Sequence, residues 1–415
     1  MRVTHLSLTN FRNYARLEMP FPAGMIVLHG DNAQGKTSLL EAIYYLATSH
    51  SPYATSDRQL INWLAQEEPL PYARLVAEVQ ARAGLRRIEV TLACETNGHT
   101  TRLKKQIRIN GLERRVMDLL GHMQVVLFLP QDLALIEGPP LNRRRYLNIT
   151  LCQTDPEYCR ALSLYEKALV QRNALLRQFQ EQQQRGQRPD LSQLAFWDEK
   201  LATSGAALVA GRYRLVRELE RRAQRIHSDL SGAQEHLRLR YEPGFDATPA
   251  PQGQMSFGVG DLGASALPEL PPAEIAERFR TALRECYRED IARGMTTIGP
   301  QRDELRFFVN GRDIGLYGSR GQNRTAVLAL KLAELDWMEA QTHESPILLL
   351  DEVAAELDPQ RRAYLLKRIG QVEQVLVTSA EPELVADPLL ANAVHWRVHA
   401  GTIRAVNGSD PARGA

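Results

Sequence analysis

The sequence predicts an α/β fold: mixed sheets with helices, built jointly from the N- and C-terminal parts of the chain, with an α-helical hairpin inserted between them. Three features carry that expectation. A short apolar strand, Met25 to Leu28, runs into a glycine-rich loop and then a helical pattern. A second apolar strand ends in the acidic pair Asp351 and Glu352, with Asp351 lying 315 residues beyond Lys36 of that loop (351 − 36). Between the two, apolar spacing changes from alternation to steps of three and four.

With 415 residues the chain can form two or three domains with separate cores. Hydrophobic content of 44% and charged content of 24% fit a soluble globular protein. No apolar run reaches the roughly eighteen residues needed to span a bilayer. The opening stretch, Met1 to Leu8, alternates like a strand and lacks a signal peptide's apolar core, so a cytoplasmic location without a membrane partner is expected. Cys94, Cys152, Cys159 and Cys286 form no Cys-x-x-Cys pair and are read as reduced thiols. A net charge of +2 gives no argument for nucleic acid, so any electropositive surface must come from local clusters.

Alternation at Ala73–Val79, Arg87–Leu92 and Gln106–Ile109 predicts antiparallel strands. The pairs Asn97–Gly98 and Asn110–Gly111 end such runs and suit tight hairpin turns, which need two positive φ angles. A third pair, Asn310–Gly311, follows Leu305–Val309 and places a similar sheet late in the chain. Leu162, Tyr165, Leu169, Leu176 and Phe179 form a helical stripe that Arg172 interrupts. After a polar turn over 181–190, a second stripe runs through Leu194, Trp197, Leu201, Leu208, Leu215 and Leu219, giving an antiparallel helical hairpin. Residues 241–274 are rich in Pro, Gly, Ala and Ser, as in a flexible connection. The expected division is a first lobe over 1–150, a helical arm over 151–290, a last lobe over 291–402 and a fraying tail over 403–415.

The glycine-rich loop is Gly30, Asp31, Asn32, Ala33, Gln34, Gly35, Lys36, Thr37, with Ser38 opening the helix: G-x-x-x-x-G-K-[ST] with the right element on each side. Its glycines let consecutive amides face phosphates, and the helix start adds positive potential. Lys36 is then placed to bridge β- and γ-phosphates, and the Thr37 hydroxyl to hold Mg²⁺. Such a loop needs an acid on a neighbouring strand tip. Asp351 fits as a metal contact, and Glu352 as the group that orients or deprotonates the attacking water, provided the chain turns there so both converge.

Ser319, Arg320, Gly321 and Gln322 open a helix whose apolar stripe is Leu328, Leu332, Leu335 and Met338. A hydroxyl, flexible amides and a helix N-terminus make an anion receptor, although an ordinary N-cap has the same pattern. This Ser-x-Gly-Gln resembles the signature of the ABC ATPases, in which one subunit's signature closes over ATP held by the other subunit. The order is similar too: loop, signature, acids, then Glu356, Leu357 and Asp358 as the D-loop. Thr378, in Val375–Ser379, stands where transporter ATPases usually place His. The resemblance implies an ABC-type P-loop ATPase head, split by an insertion as in the SMC-like group.

Within that group the chain resembles the RecF family over roughly residues 1 to 400. The matching stretches are Leu8 to Tyr14, Asn32 to Ile43, Phe128 to Leu133, Gly138 to Leu147 and Gly299 to Asp303. Ser38, Gln131 and Gln301 depart from the family's usual Asn, Glu and His. The resemblance implies that Arg12 approaches the nucleotide and that Gln131, in the Q-loop region, contacts metal or water. It further implies a weak ATPase that dimerises on ATP and binds double-stranded DNA and single-strand/duplex junctions at gaps. RecR, with RecO and RecA, is the implied set of protein partners, and slow hydrolysis the implied release. Phosphate contacts on DNA would come from clusters: Arg102, Lys104, Lys105 and Arg108; Arg143 to Arg145; and Arg221, Arg222 and Arg225. The competing readings are another SMC-like or ABC ATPase subunit without a role in RecA loading, a transporter-type ATPase, or a nuclease-coupled or signalling P-loop enzyme. The missing His, the split cassette and the absence of a second acidic cluster speak against the last two.

Overall fold

The computed structural model describes residues 1–97, 100–247, 270–381 and 387–406. It forms two compact units, one of residues 1–132 and 334–415 and the other of residues 133–333. The first unit holds two six-stranded sheets. One is antiparallel throughout, in the order β2 (Tyr14–Pro20), β1 (Arg2–Phe11), β4 (Tyr72–Ala81), β5 (Gly84–Asn97), β6 (Thr100–Ile109) and β7 (Leu112–Arg114). Asn110 and Gly111, with φ of 50° and 80°, make the β6–β7 hairpin as their types predict, whereas the Asn97–Gly98 turn lies outside the described residues.

The other sheet is parallel apart from one edge. Its order is β15 (Thr402–Ala405), β14 (Val394–His399), β3 (Gly24–His29), β13 (Gln374–Ser379), β12 (Ile347–Asp351) and β8 (Val125–Phe128). Buried on both faces, β12 and β13 read as unbroken burial, which is why their sequences do not alternate. The strand β15 corrects the expected fraying beyond Thr402: residues 402–405 pair with β14, and the rest of the expected tail, beyond Val406, lies outside the described residues. Helix α1 (Lys36–Thr48) touches both sheets, through β4 on one side and β12 on the other. Its apolar residues therefore surround it, and Leu39, Leu40, Ile43, Tyr45 and Leu46 are all fully buried. The short α2 (Val116–Leu119) and α11 (Pro359–Ile369), the latter capped by Asp358, complete this unit.

The second unit begins with α3 (Ala134–Glu137) and α4 (Pro140–Cys152). The helical hairpin follows as α5 (Pro156–Gln184) and α6 (Leu194–Leu230). Asp155 caps α5 by accepting from the amides of Glu157 and Tyr158, and Pro156 supplies a fixed φ at its first position. Beyond the hairpin come β9 (Leu237–Glu242), α7 (Pro272–Glu285), α8 (Tyr287–Arg293), β10 (Glu304–Val309), β11 (Arg312–Asp313) and α9 (Ile314–Tyr317). β9, β10 and β11 form a separate three-stranded sheet, turned at Asn310 and Gly311. Helix α10 (Arg320–Thr342) starts in this unit, and Leu328, Leu332, Leu335 and Met338 are its buried stripe.

The unit boundaries fall at 132/133 and 333/334, where the sequence suggested 150/151 and 290/291. α4 goes with the second unit because it packs on α5, α6 and β10; residues 291–333 go with it because β10 pairs with β9. Arg172 does not interrupt the α5 stripe. It is fully buried within it, donating to Asp198 at 2.8 Å, Asp290 at 2.6 Å and Thr296 at 2.8 Å. Of the expected flexible connection, 248–269 lies outside the described residues, while its ends belong to β9 and α7.

Candidate functional site

The glycine-rich loop leaves the tip of β3 and wraps the start of α1, lining a pocket of about 330 Å³. The lining brings together Asn32, Ala33, Gln34, Gly35, Lys36, Thr37 and Ser38 with Tyr53, Pro130, Gln131, Asp351 and Glu352. Parallel pairing of β3, β13 and β12 accounts for the meeting, since it carries loop and acids to the same edge of one sheet. Two glycines are forced by space. A Cβ on Gly30 (φ 144°) would sit 2.4 Å from the Val398 carbonyl oxygen, and one on Gly35 (φ 119°) 2.6 Å from Asn13 Nδ2. The loop is latched from outside: Asn13 Nδ2 donates to Gln34 O at 2.9 Å, Tyr14 OH to Gly35 O at 2.9 Å, and Ala400 N to Gln34 Oε1 at 2.8 Å.

Lys36 is 3% exposed, and its ammonium donates to the carbonyls of Gly30 at 2.7 Å and Asp31 at 3.0 Å. Glu352 Oε1 lies 3.4 Å away. The two acids do converge. Asp351 ends β12, and Glu352 takes a left-handed backbone, φ 56°, which turns its side chain back to the pocket. Thr378 ties them together, its hydroxyl accepting the Glu352 N–H at 2.9 Å and donating to Asp351 Oδ1 at 2.8 Å. Thr37 Oγ1 donates to the same oxygen at 3.0 Å. Gln131 is exposed at the rim, on the one-turn helix Pro130–Leu133.

Tyr53, which sequence reasoning passed over, donates its hydroxyl to Asp351 Oδ2 at 2.6 Å. Burial, and then the Asp351 charge, push that hydroxyl well above the usual tyrosine range, so it stays a proton donor. Its loop is fixed by Ser51 Oγ, which accepts the amides of Tyr53 at 3.0 Å and Ala54 at 2.8 Å and donates to Glu41. Glu41, 2% exposed, is held in a two-pronged ion pair by Arg12, at 2.7 Å from Nε and 2.7 Å from Nη2. Arg12 therefore faces Glu41 and is not part of the pocket lining, which departs from the expected approach to the nucleotide. A buried acid inside the apolar run from Leu39 to Ile43 was the available signal. It asks for a cation but does not name one.

Beside the loop, burial and then the charges of His395, Arg397 and Lys36 lower the pKa of His29, keeping further positive charge away from Lys36. Asp358 caps α11, accepting from the Arg361 N–H at 3.0 Å; that bond first, and the Arg361 guanidinium after it, hold its pKa below the usual carboxylate range. It does not line the pocket.

In the second unit Ser319, Arg320 and Gly321 are exposed at the start of α10. Ser319 Oγ accepts the Gln322 N–H at 3.2 Å while Gln322 Oε1 accepts the Ser319 N–H at 3.1 Å, a reciprocal capping box. Gln322 Nε2 donates to Glu235 at 2.7 Å. Both readings of the motif thus remain compatible, because a capping serine keeps its own O–H available.

The basic clusters separate by burial. Arg143 is 8% exposed and bound to Glu304 and the Gly138 carbonyl, Arg144 donates to the Asp303 carbonyl at 3.0 Å, and Lys105 pairs with Asp57 at 2.7 Å. These three have structural partners and are poor phosphate contacts. Arg222 and Arg221 both pair with Glu218, and Lys104 pairs with Glu95 at the surface. Arg102, Lys104 and Arg108 stay exposed on one face of β6, and Arg145, Arg221 and Arg225 are exposed on α4 and α6.

The residues present suit a nucleotide with Mg²⁺. A buried ammonium resting on backbone carbonyls is ready for a stronger anionic partner, and Thr37 and Asp351 offer hard oxygen donors. Among the described residues no group of three or more His, Cys, Asp or Glu could hold a metal by itself. No helix of the described residues is long and apolar enough to cross a membrane.

Residues 2–396 match the family model of the RecF/RecN/SMC N terminal domain. A DNA replication and repair protein RecF of Chloroflexus aurantiacus is 41% identical over 409 residues, 97% of this chain and 99% of that one. One of Symbiobacterium thermophilum is 41% identical over 407 residues, 97% and 98% of the two chains. A solved structure of the recombination mediator protein RecF-ATP in the RecFOR pathway is similar with a TM-score of 0.79 at 28% identity, covering 98% of this chain and 97% of that one. The fold is thus that of an ABC-type ATPase head with an inserted helical arm, and the chain belongs to the RecF family.

Proposed function

We propose that the chain is an ATP-dependent DNA-binding protein of recombinational repair and replication restart, in which ATP joins two copies and slow, DNA-stimulated hydrolysis separates them. The carrying observation is the pocket, where a buried ammonium, a threonine hydroxyl and two carboxylates meet a glycine-rich loop. The backbone from Gly30 to Ser38 would cradle the phosphates, with Lys36 exchanging its two carbonyls for β- and γ-oxygens. Thr37, Asp351 and Gln131 would hold Mg²⁺, which neutralises phosphate charge when bound. Glu352 would orient the attacking water or take its proton.

Ser319, Arg320, Gly321 and Gln322, with Asp358, would meet the ATP of a second copy. Leu316 and Tyr317, 70% and 79% exposed just before Ser319, are apolar surface that such a copy would cover. Double-stranded DNA and single-strand/duplex junctions would be a further partner, with phosphates met by the exposed row on β6 in the first unit and, in the second, by Arg145, Arg221 and Arg225. RecR, with RecO and RecA acting through it, would be the protein partners, a reading supported by the RecFOR pathway named for a similar solved structure.

Sedimentation of Glu352→Gln tests the reading. The protein should be monomeric alone, dimeric with ATP and Mg²⁺, and bound to gapped duplex in that state, with binding that falls steeply as salt rises. A variant that stays monomeric at saturating ATP refutes the two-copy site.

A further inference from the structure

Resting on the ATP-site reading, we propose that Tyr53 is a positioning residue for the metal: its hydroxyl fixes the Asp351 carboxylate in the orientation that receives Mg²⁺ with the nucleotide. Asp351 has two oxygens and about four lone-pair positions. Oδ1 accepts from both Thr37 and Thr378, at 3.0 and 2.8 Å, and Oδ2 accepts from Tyr53 at 2.6 Å. A hydroxyl that gives Mg²⁺ a lone pair keeps its proton to donate, so Thr37 and Thr378 would both stay on Oδ1 when the site is occupied, and Tyr53 is the donor described on Oδ2. Without the tyrosine hydroxyl the carboxylate can rotate about its last bond, and the order that favours metal binding is lost.

The tyrosine is held firmly enough to do this. Its own amide and that of Ala54 bond to Ser51 Oγ, Ser51 donates to Glu41, and Glu41 is gripped by both prongs of Arg12. Arg12 thereby serves the nucleotide site at a distance, through a chain of hydrogen bonds that ends on Asp351.

A fluorescent ATP analogue, titrated with Mg²⁺ and again in EDTA, separates this role from a general structural one. In Tyr53→Phe the affinity in EDTA should stay within about twofold, while the gain in affinity conferred by Mg²⁺ should fall roughly tenfold, the worth of one charge-assisted hydrogen bond. Ser51→Ala, which loosens the tether but keeps the tyrosine, should shift the Mg²⁺ gain in the same direction by less. An undiminished Mg²⁺ gain in Tyr53→Phe, or equal losses with and without Mg²⁺, overturns the proposal. Failure of the unaltered protein to bind the analogue at all would instead refute the ATP-site reading beneath it.

Discussion

Thr378→Val isolates one hydroxyl that joins the two acids of the pocket. Thr378 is fully buried and makes two bonds, one from the Glu352 amide at 2.9 Å and one to Asp351 Oδ1 at 2.8 Å. Valine keeps the branched shape and removes both. Leaving the Glu352 N–H without its acceptor costs about 1–3 kcal/mol, and losing a donor to a charged carboxylate about 1.5–3 kcal/mol. The extra buried methyl returns about 1 kcal/mol. The net local loss is about 1.5–5 kcal/mol, so amides of β12 and β13 should exchange with deuterium roughly 10- to 5,000-fold faster. Hydrogen-exchange mass spectrometry on peptides covering 347–352 and 374–379 reads this directly, without requiring the whole chain to unfold in one step. Thr378→Ser keeps both bonds and gives up one methyl, about 1 kcal/mol, or roughly fivefold. Equal protection in the valine and serine variants would refute the bridging role.

Changing Ser319 to Ala should leave ATP binding by the monomer intact, abolish ATP-driven dimerisation in sedimentation and loosen the start of α10 by about 1 kcal/mol; a dimer that still forms removes the signature assignment. Arg172→Met strands the buried carboxylates of Asp198 and Asp290 and should destabilise the helical unit by about 3–5 kcal/mol in urea unfolding. A loss below about 1 kcal/mol would refute the reading that Arg172 is what makes the burial of those acids tolerable.

The local parts of the site were legible. The glycine-rich loop declares itself through strand, turn and helix within a dozen or so residues, and the apolar run before Asp351 marks a buried strand tip. Their meeting could be inferred only from the chemistry, because parallel pairing of β3, β13 and β12 links segments far apart in sequence. Tyr53 was not legible: its loop has no periodicity, and nothing in Ser51-Pro52-Tyr53 names an acid 298 residues away as partner. For Arg12 it is the resemblance, not the local pattern, that implies an approach to the nucleotide, and the structure shows its guanidinium on the buried Glu41. Arg172 looks like a break in a stripe because single-helix spacing does not reveal acids on α6 and α8 that make its burial tolerable. The unit boundaries depended on β9 and β10 finding each other across the 248–269 stretch, and composition carries no trace of that pairing.

The order of strands in the parallel sheet has a consequence for biosynthesis. The strand β3 lies between β13 and β14, and its paired residues are separated by 350 positions from Gly24 to Gln374 and by 368 from Ile26 to Val394. At a ribosomal rate of about 5–20 residues per second, β3 waits roughly 20–70 seconds for either neighbour to be made. During that interval both of its backbone edges lack their native sheet partners, while the helical unit, residues 133–333, is made in full before either partner strand appears. The glycine-rich loop therefore reaches its native setting on the sheet only after residues 374–397 have been made.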